Sequence, residues 1–301
     1  IEPFLADQIE VLKGPSTLLY GSGAIGGAVN MVDGRIPEYA IDNGFSGRAE
    51  TRFYAGDQGG NTTMSRVDGG SDGFALHADA VYRHAPDYDT PDGRQLNSYI
   101  DTRSGAVGGS LLGDWGFVGL SAARFEDDYG NPGEPGDLSI GERGVHLTLR
   151  QDRYEAKGAL RDLWGDGNGL RFSFAHTGYD HTEFEGDAPG TIFSKNANEG
   201  RVEASFGSAG GWQGALGLQG SASTFAAVGE ESFVPETSTR AYGLFGVARH
   251  TWDGFQLDLG ARVDKVKSSP VGADSRSFTP VSLSLAGGWK LNAQWRIPAT
   301  P

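Results

Sequence analysis

From residue 44 onward the chain alternates apolar and polar residues with a period of two. Across 255–264 the odd positions are Phe255, Leu257, Leu259, Ala261 and Val263, and the even ones are Gln256, Asp258, Gly260, Arg262 and Asp264. Successive side chains of a strand point to opposite faces, so this stretch reads as a strand with one apolar and one charged face. The same dyad sets Phe74, Leu76, Ala78, Ala80 and Tyr82 against His77, Asp79 and Arg83. It sets Val145, Leu147 and Leu149 against His146, Thr148 and Arg150, with His146 expected on the lumen side. It recurs with Val202, Ala204 and Phe206 against Arg201, Glu203 and Ser205, and with Val281, Leu283 and Leu285 against Ser282 and Ser284. Around 241–251 and 107–109 it blurs. A soluble sandwich or adhesin would share the period. Strand length separates them: 169–181 and 254–267 exceed the roughly 5–6 residues of a globular strand and suit the ~9–11 of a tilted membrane strand with extensions.

The tryptophans give the sheet two unlike ends. Trp115, Trp164, Trp212, Trp252, Trp289 and Trp295 all fall at or beside short turns, the last two flanking Leu291-Asn-Ala-Gln294. The longer polar connections, expected at 85–97, 127–143, 182–197, 227–238 and 267–275, contain none. Outer-membrane barrels combine aromatic girdles, short periplasmic turns and long external loops, so the Trp-free loops are read as external.

Composition narrows the function classes. The chain has 301 residues with 48 Gly and no Cys, and 39 acidic against 25 basic residues give a net charge of -14. No apolar run approaches the ~20 residues of a membrane helix, whereas a β-barrel needs only alternate apolar residues. Without cysteine there is no disulfide or thiolate-metal site. The negative charge argues against a nucleic-acid partner, which would be held through Lys and Arg on phosphates.

The N-terminal stretch 9–30 carries the most specific signal. Ile9, Val11 and Leu12 predict a short buried strand, and Gly14-Pro15 ends it because proline lacks an N–H and restricts its predecessor. The glycines from Gly21 to Gly27 permit positive φ and close backbone approach. A phosphate-cradling loop would need a following helix, and Gly27-Ala-Val-Asn30 does not supply one. In order and spacing, Gly14, Pro15, Tyr20, Gly21, Gly26, Gly27 and Asn30 resemble the end of the plug domain of TonB-dependent outer-membrane receptors. The resemblance implies an all-β fold: a partial transmembrane antiparallel β-barrel preceded by the C-terminal part of an α+β plug domain. About 12 strands are expected here, out of the roughly 22 of a plugged transporter barrel. The expected division is 1–42 for the plug part and 43–301 for the N-terminal part of the barrel. The chain is therefore expected to be a piece of a longer receptor in the outer membrane of a Gram-negative bacterium. Its expected partners are outer-membrane lipid, a metal ion or metal complex as substrate, and a TonB-type energy-coupling protein that contacts a segment outside this piece. No cofactor is expected.

Within the family, Val29–Glu38 and Asn43-Gly-Phe-Ser-Gly47 resemble the junction of the zinc-uptake branch. The likeness continues at Tyr82-Arg83, Asp87-Tyr88, Asp128-Tyr-Gly130, Arg153-Tyr-Glu155, Tyr179-Asp-His181, Arg201-Val-Glu203 and 260–264. This implies energy-coupled metal uptake; an iron–siderophore or other bulky-complex receptor is the alternative, and a passive porin or adhesin a third reading. The chain departs from that branch at 131–143, a short loop without the histidines that zinc-uptake members can carry. The best cation candidates are then Asp180, His181, Glu183 and Glu185, since imidazole with carboxylates suits a first-row divalent ion. His84, Asp87 and Asp89 form a second, weaker set. No nucleophile elbow, metalloprotease helix or phosphate loop is present, so the chain is not read as an enzyme.

Overall fold

The computed structural model describes residues 2–21, 26–41, 44–54, 59–137, 144–165, 167–229, 232–290 and 296–299. Trp295 and part of the Gly21–Gly27 run lie outside these residues. The N-terminal segment holds a 3-10 turn at Pro3–Leu5, strand β1 (Gln8–Leu12), a 3-10 helix at Gly14–Leu19 and strand β2 (Ala28–Val32). The large sheet follows, beginning with β3 (Phe45–Phe53), β4 (Asn61–Ser71) and β5 (Phe74–Ala85). A small hairpin of β6 (Asp89–Thr90) and β7 (Gly93–Arg94) precedes β8 (Ile100–Gly113), β9 (Gly116–Gly130), β10 (His146–Leu160) and β11 (Gly169–Glu185). The wall continues through β12 (Ala188–Ala209), β13 (Trp212–Gly229), β14 (Thr237–Trp252) and β15 (Phe255–Pro270). Short β16 (Arg276–Phe278), β17 (Val281–Lys290) and β18 (Arg296–Ala299) complete it.

Each wall strand pairs antiparallel with its sequence neighbour, in the order β3-β4-β5-β8 and on to β15-β17-β18, with β16 attached to β15. The meander is what period-two strands joined by alternating short and long connections must form. The fold expected from alternation is the one observed, with 13 strands along the path against the dozen expected. One connection differs from expectation. The segment 182–197 is a hairpin ladder rather than a loop, because β11 and β12 stay paired up to Glu185 opposite Ala188. The polar run 180–187 hides a strand that projects past the apolar belt, where both faces meet water.

The inner face of the wall is the one that meets the N-terminal segment. Leu5 packs with Met64 and Val81 beside Phe4, and Ile36 with Phe117 and Ala159 beside Leu112. The described apolar core thus lies along the seam between segment and wall. On the outer face, Leu76, Val107, Leu120, Phe174, Leu218, Leu244 and Leu283 are exposed, as a wall facing hydrocarbon requires. At the short-turn end an aromatic array sets Trp212 edge-on to His250, stacks His250 on Trp252 at 4.0 Å and Trp252 on Phe255, and tilts Phe255 against Trp289 at 4.6 Å.

The β1–β2 ribbon departs from its expected burial. Its register places Ile9 opposite Met31 and Val11 opposite Val29, but Ile9, Val11 and Val29 are exposed. Among the described residues no element covers that apolar side of the two-stranded ribbon.

Candidate functional site

The N-terminal segment is seated on the wall at two places. At the first, Arg66 on β4 donates through Nε to Asp68 at 2.8 Å and reaches across to Asp7 and to the Asp33 carbonyl. His77 on β5 sits between two carboxylates, Nδ1 at 2.7 Å from Asp68 and Nε2 at 2.9 Å from Asp79. Only a ring carrying protons on both nitrogens can donate to both. Arg35 of the segment closes the chain by donating to Asp79 at 3.1 Å. Gly34 is required here: it has φ +68, and a Cβ would lie 2.0 Å from the Asp7 carboxylate.

At the second seat, Gly14 (φ +74) and the buried Pro15 open the 3-10 helix, whose last carbonyls lack helical partners. The wall supplies them: Arg262 on β15 donates to the Leu18 carbonyl at 3.3 Å, and Arg201 on β12 to that of Leu19. Both guanidiniums lie over the ring of Phe245 on β14, at 5.3 and 4.2 Å from its centroid. Asp264 and Glu203 fix the two arginines from two residues along the same strands. Of the motif glycines, Gly27 has φ +148 and a Cβ there would meet the Leu12 carbonyl at 3.0 Å, so it permits the ribbon's close pairing. Asn30 donates to Glu10 across that ribbon at 2.9 Å, Tyr20 caps the helix, and Gly21 leaves it with φ +140, while Gly26 shows no such constraint.

Toward the long-connection end, the inner face forms a vestibule. Tyr179, His181, Phe193 and Phe225 make a ladder of ring contacts from β11 to β13, with His181 5.5 Å from Phe193 and Phe193 6.4 Å from Phe225. Tyr129, Leu147, Leu149 and Glu183 share this face by register. The Nε2 of His181 is buried without a hydrogen-bond partner among the described residues. Alternation puts Asp180 on the opposite, outward face, and Glu185 is exposed at the hairpin tip. The four candidate metal residues are thus divided, and among the described residues no group of three or more His, Asp or Glu is arranged to hold a metal ion. The second set is also separated: His84 pairs with Asp101 at 2.6 Å, Asp87 accepts from the Ser98 N–H, and Asp89 lies in the β6–β7 hairpin. His146, expected in the lumen, faces outward and stacks on Phe184 at 4.8 Å. At that height the apolar residues Leu147 and Leu149 point inward, which reverses the apolar-out rule beyond the belt.

The sequence matches the TonB dependent receptor-like β-barrel profile over residues 35–299 and the TonB-dependent receptor plug domain profile over residues 1–28. The chain belongs to the TonB-dependent receptor family. Solved structures with this receptor fold include one described as the copper transporter OprC, 16% identical with a TM-score of 0.79 over 97% of this chain and 49% of that one. The FrpB iron transporter from Neisseria meningitidis is 14% identical, with a TM-score of 0.81 over 100% of this chain and 53% of that one. The ferric yersiniabactin uptake receptor FyuA from Yersinia pestis is 15% identical, with a TM-score of 0.71 over 96% and 50%. The receptor chain described here therefore spans about half the length of these structures.

Sequence reasoning noted Arg153-Tyr-Glu155, Arg201-Val-Glu203 and 260–264 only as family likeness, and did not see in them, or in Arg66 and Asp68, the paired wall groups, three of which receive the N-terminal segment. A signal was available: Arg66 and Asp68, Arg153 and Glu155, Arg201 and Glu203, and Arg262 and Asp264 are all an arginine followed two residues later by an acid. On a strand that spacing places both on one face, and each pair forms a salt bridge.

Proposed function

We propose that the whole receptor imports a metal nutrient across the outer membrane with energy delivered through a TonB-type partner, and that the metal arrives within an organic complex. In this reading residues 1–42 are the last part of the plug and 43–301 the first part of the barrel. The observation that supports a complex is the Tyr179–His181–Phe193–Phe225 ladder in the vestibule. Flat aromatic faces and one unpartnered imidazole nitrogen suit stacking and hydrogen bonding to an organic ligand, whereas a bare cation needs several converging donors. A zinc-like cation is the second reading. The junction residues favour it, and so does Glu183, on the same face as His181.

Uptake by the full-length receptor separates the two. With a ferric complex as cargo, Phe193→Ala should reduce uptake about tenfold or more, in line with the 0.5–1.5 kcal/mol of a ring contact plus its buried area. Zinc or manganese uptake that depends on His181 and Glu183 but not on Phe193 would favour the cation. Uptake that persists without the energy-coupling partner would remove both readings in favour of a passive pore.

A further inference from the structure

The outer face of the wall is charged above its apolar belt, but not uniformly. On β8 to β11 it carries Asp101, Arg103, Arg124, Glu126, Asp128, Arg150, Asp152 and Asp180, in which acids offset bases; Asp152 bridges Arg124 at 2.6 Å and Arg150 at 2.9 Å. On β14 and β15 the same rim holds Arg240, Lys265 and Lys267. Register puts Arg240 directly opposite Lys267 and Tyr242 opposite Lys265, and all four are exposed. None of the three cations has an ion pair among the described residues. The outward positions beside them on β12 and β13 are Asn196, Asn198, Ala222 and Thr224, with no carboxylate. Like charges directly opposite on a sheet are destabilising, and here they stand in a chain of net charge -14. A permanent anionic neighbour would explain them.

Immediately below the cations the wall is hollowed. Gly200 and Gly220 face each other across β12 and β13, flanked by Phe174 on β11 and Tyr242 on β14. The absence of two adjacent side chains between two aromatic rings leaves a groove of about 670 Å3, floored by Val202, Leu218 and Leu244 and topped by Lys265. Its long axis leads from hydrocarbon depth to the cationic rim.

We infer that this groove and rim bind one membrane lipid with an anionic phosphate headgroup, its acyl chain between Phe174 and Tyr242 and its phosphate against Arg240, Lys265 and Lys267. The inference rests on the reading of this wall as lipid-facing with its long connections outside. Charge complementarity selects the occupant: a zwitterionic lipid would bring its own cation to a site that already has three. The phosphate replaces the missing carboxylates, and the acyl chain fills the hollow that two glycines leave.

The test uses the full-length receptor in vesicles of phosphatidylcholine containing a minority of phosphatidylglycerol. After mild detergent release, retained lipid is counted by native mass spectrometry. Wild type should keep one phosphatidylglycerol in preference to phosphatidylcholine. Each of R240Q, K265Q and K267Q should cost about fivefold in retention, and the triple variant on the order of a hundredfold, given the usual contribution of a basic residue near an anionic surface. Gly220→Leu, which fills the groove and leaves the cations, should also release the lipid. Retention unchanged in the triple variant, or equal retention of phosphatidylcholine, overturns the site. Displacement by inorganic phosphate with Gly220→Leu inert would mean a headgroup-only anion site and overturns the acyl part. A dimer lost in the triple variant would assign the rim to a second copy instead. Resistance of the receptor to alkaline extraction from the same vesicles is scored separately: its loss in wild type removes the lipid-facing reading itself, whereas an inserted receptor without lipid preference removes only the site.

Discussion

The seat on β4–β5 and the seat on β12–β15 both use an arginine with an acid two residues along the same strand, yet they hold opposite kinds of group. Arg66, steadied by Asp68, reaches side chains and main chain of the N-terminal segment, and Arg35 of that segment reaches back to Asp79. Arg262 and Arg201, steadied by Asp264 and Glu203, take only the main-chain carbonyls of Leu18 and Leu19 and rest on Phe245. The first seat therefore depends on the charges the segment carries, whereas the second takes main-chain carbonyls and packs the buried Pro15 and Leu18 against Gly260 on β15. A charge change in the segment can release the first; the second answers instead to the segment's backbone path and to its apolar side chains.

The largest expected effect comes from Arg66→Met in the full-length receptor. Asp68 and Asp7 lose their cation, and the usual cost of a buried ionic partner, about 3–5 kcal/mol, should appear as a lower urea midpoint. Amide exchange should accelerate across residues 3–9 and not at 15–20; acceleration at both would show that the seats are one unit. Next is Phe245→Leu, which removes the face under two guanidiniums and should cost about 2 kcal/mol, with exchange opening at 15–20 instead. Raising salt from about 0.1 to 1 M shortens the screening length from about 10 to 3 Å and should loosen the partly exposed Asp7 contact by up to about 1 kcal/mol. The carbonyl seat should not respond, and a matching response there would break the distinction. Smallest is Glu2→Gln. Glu2 pairs with the part-exposed Arg83 (2.8 Å) and Arg52 (3.5 Å) and accepts from the Phe4 N–H; the amide keeps an acceptor oxygen, so the loss should stay below about 1 kcal/mol.

The wall was legible because alternation is a local property. The strands at Phe74–Ala85 and Phe255–Pro270 show in sequence the faces they show in three dimensions. The reading blurred where the plug leans on the wall: Phe245 is apolar yet points inward, because it lies under two arginines and the 3-10 helix rather than in lipid. Met64 and Val81 point inward for a similar reason, beneath Leu5. The candidate cation residues misled because sequence spacing does not show where a strand continues. Once β11 runs on to Glu185, period two separates Asp180 from His181 and Glu183. The vestibule aromatics were invisible as a group, since Tyr179, Phe193 and Phe225 come from three strands and meet only through register.

The two seats also differ in when they can form. Arg66 meets Asp7 across 59 residues, whereas Arg262 meets Leu18 across 244. That is about two doublings of loop length, which adds only about 1.2 kcal/mol of closure entropy. Order of arrival is the stronger consequence. The first seat is complete once β4 and β5 have paired, while the second must wait for β12, β14 and β15. A segment already tethered at Asp7 keeps the carbonyls of Leu18 and Leu19 at high local concentration inside the growing wall. Once formed, the Asp7–Arg66 salt bridge thus acts as a guide pin, holding the 3-10 helix near the strands that carry Arg201 and Arg262.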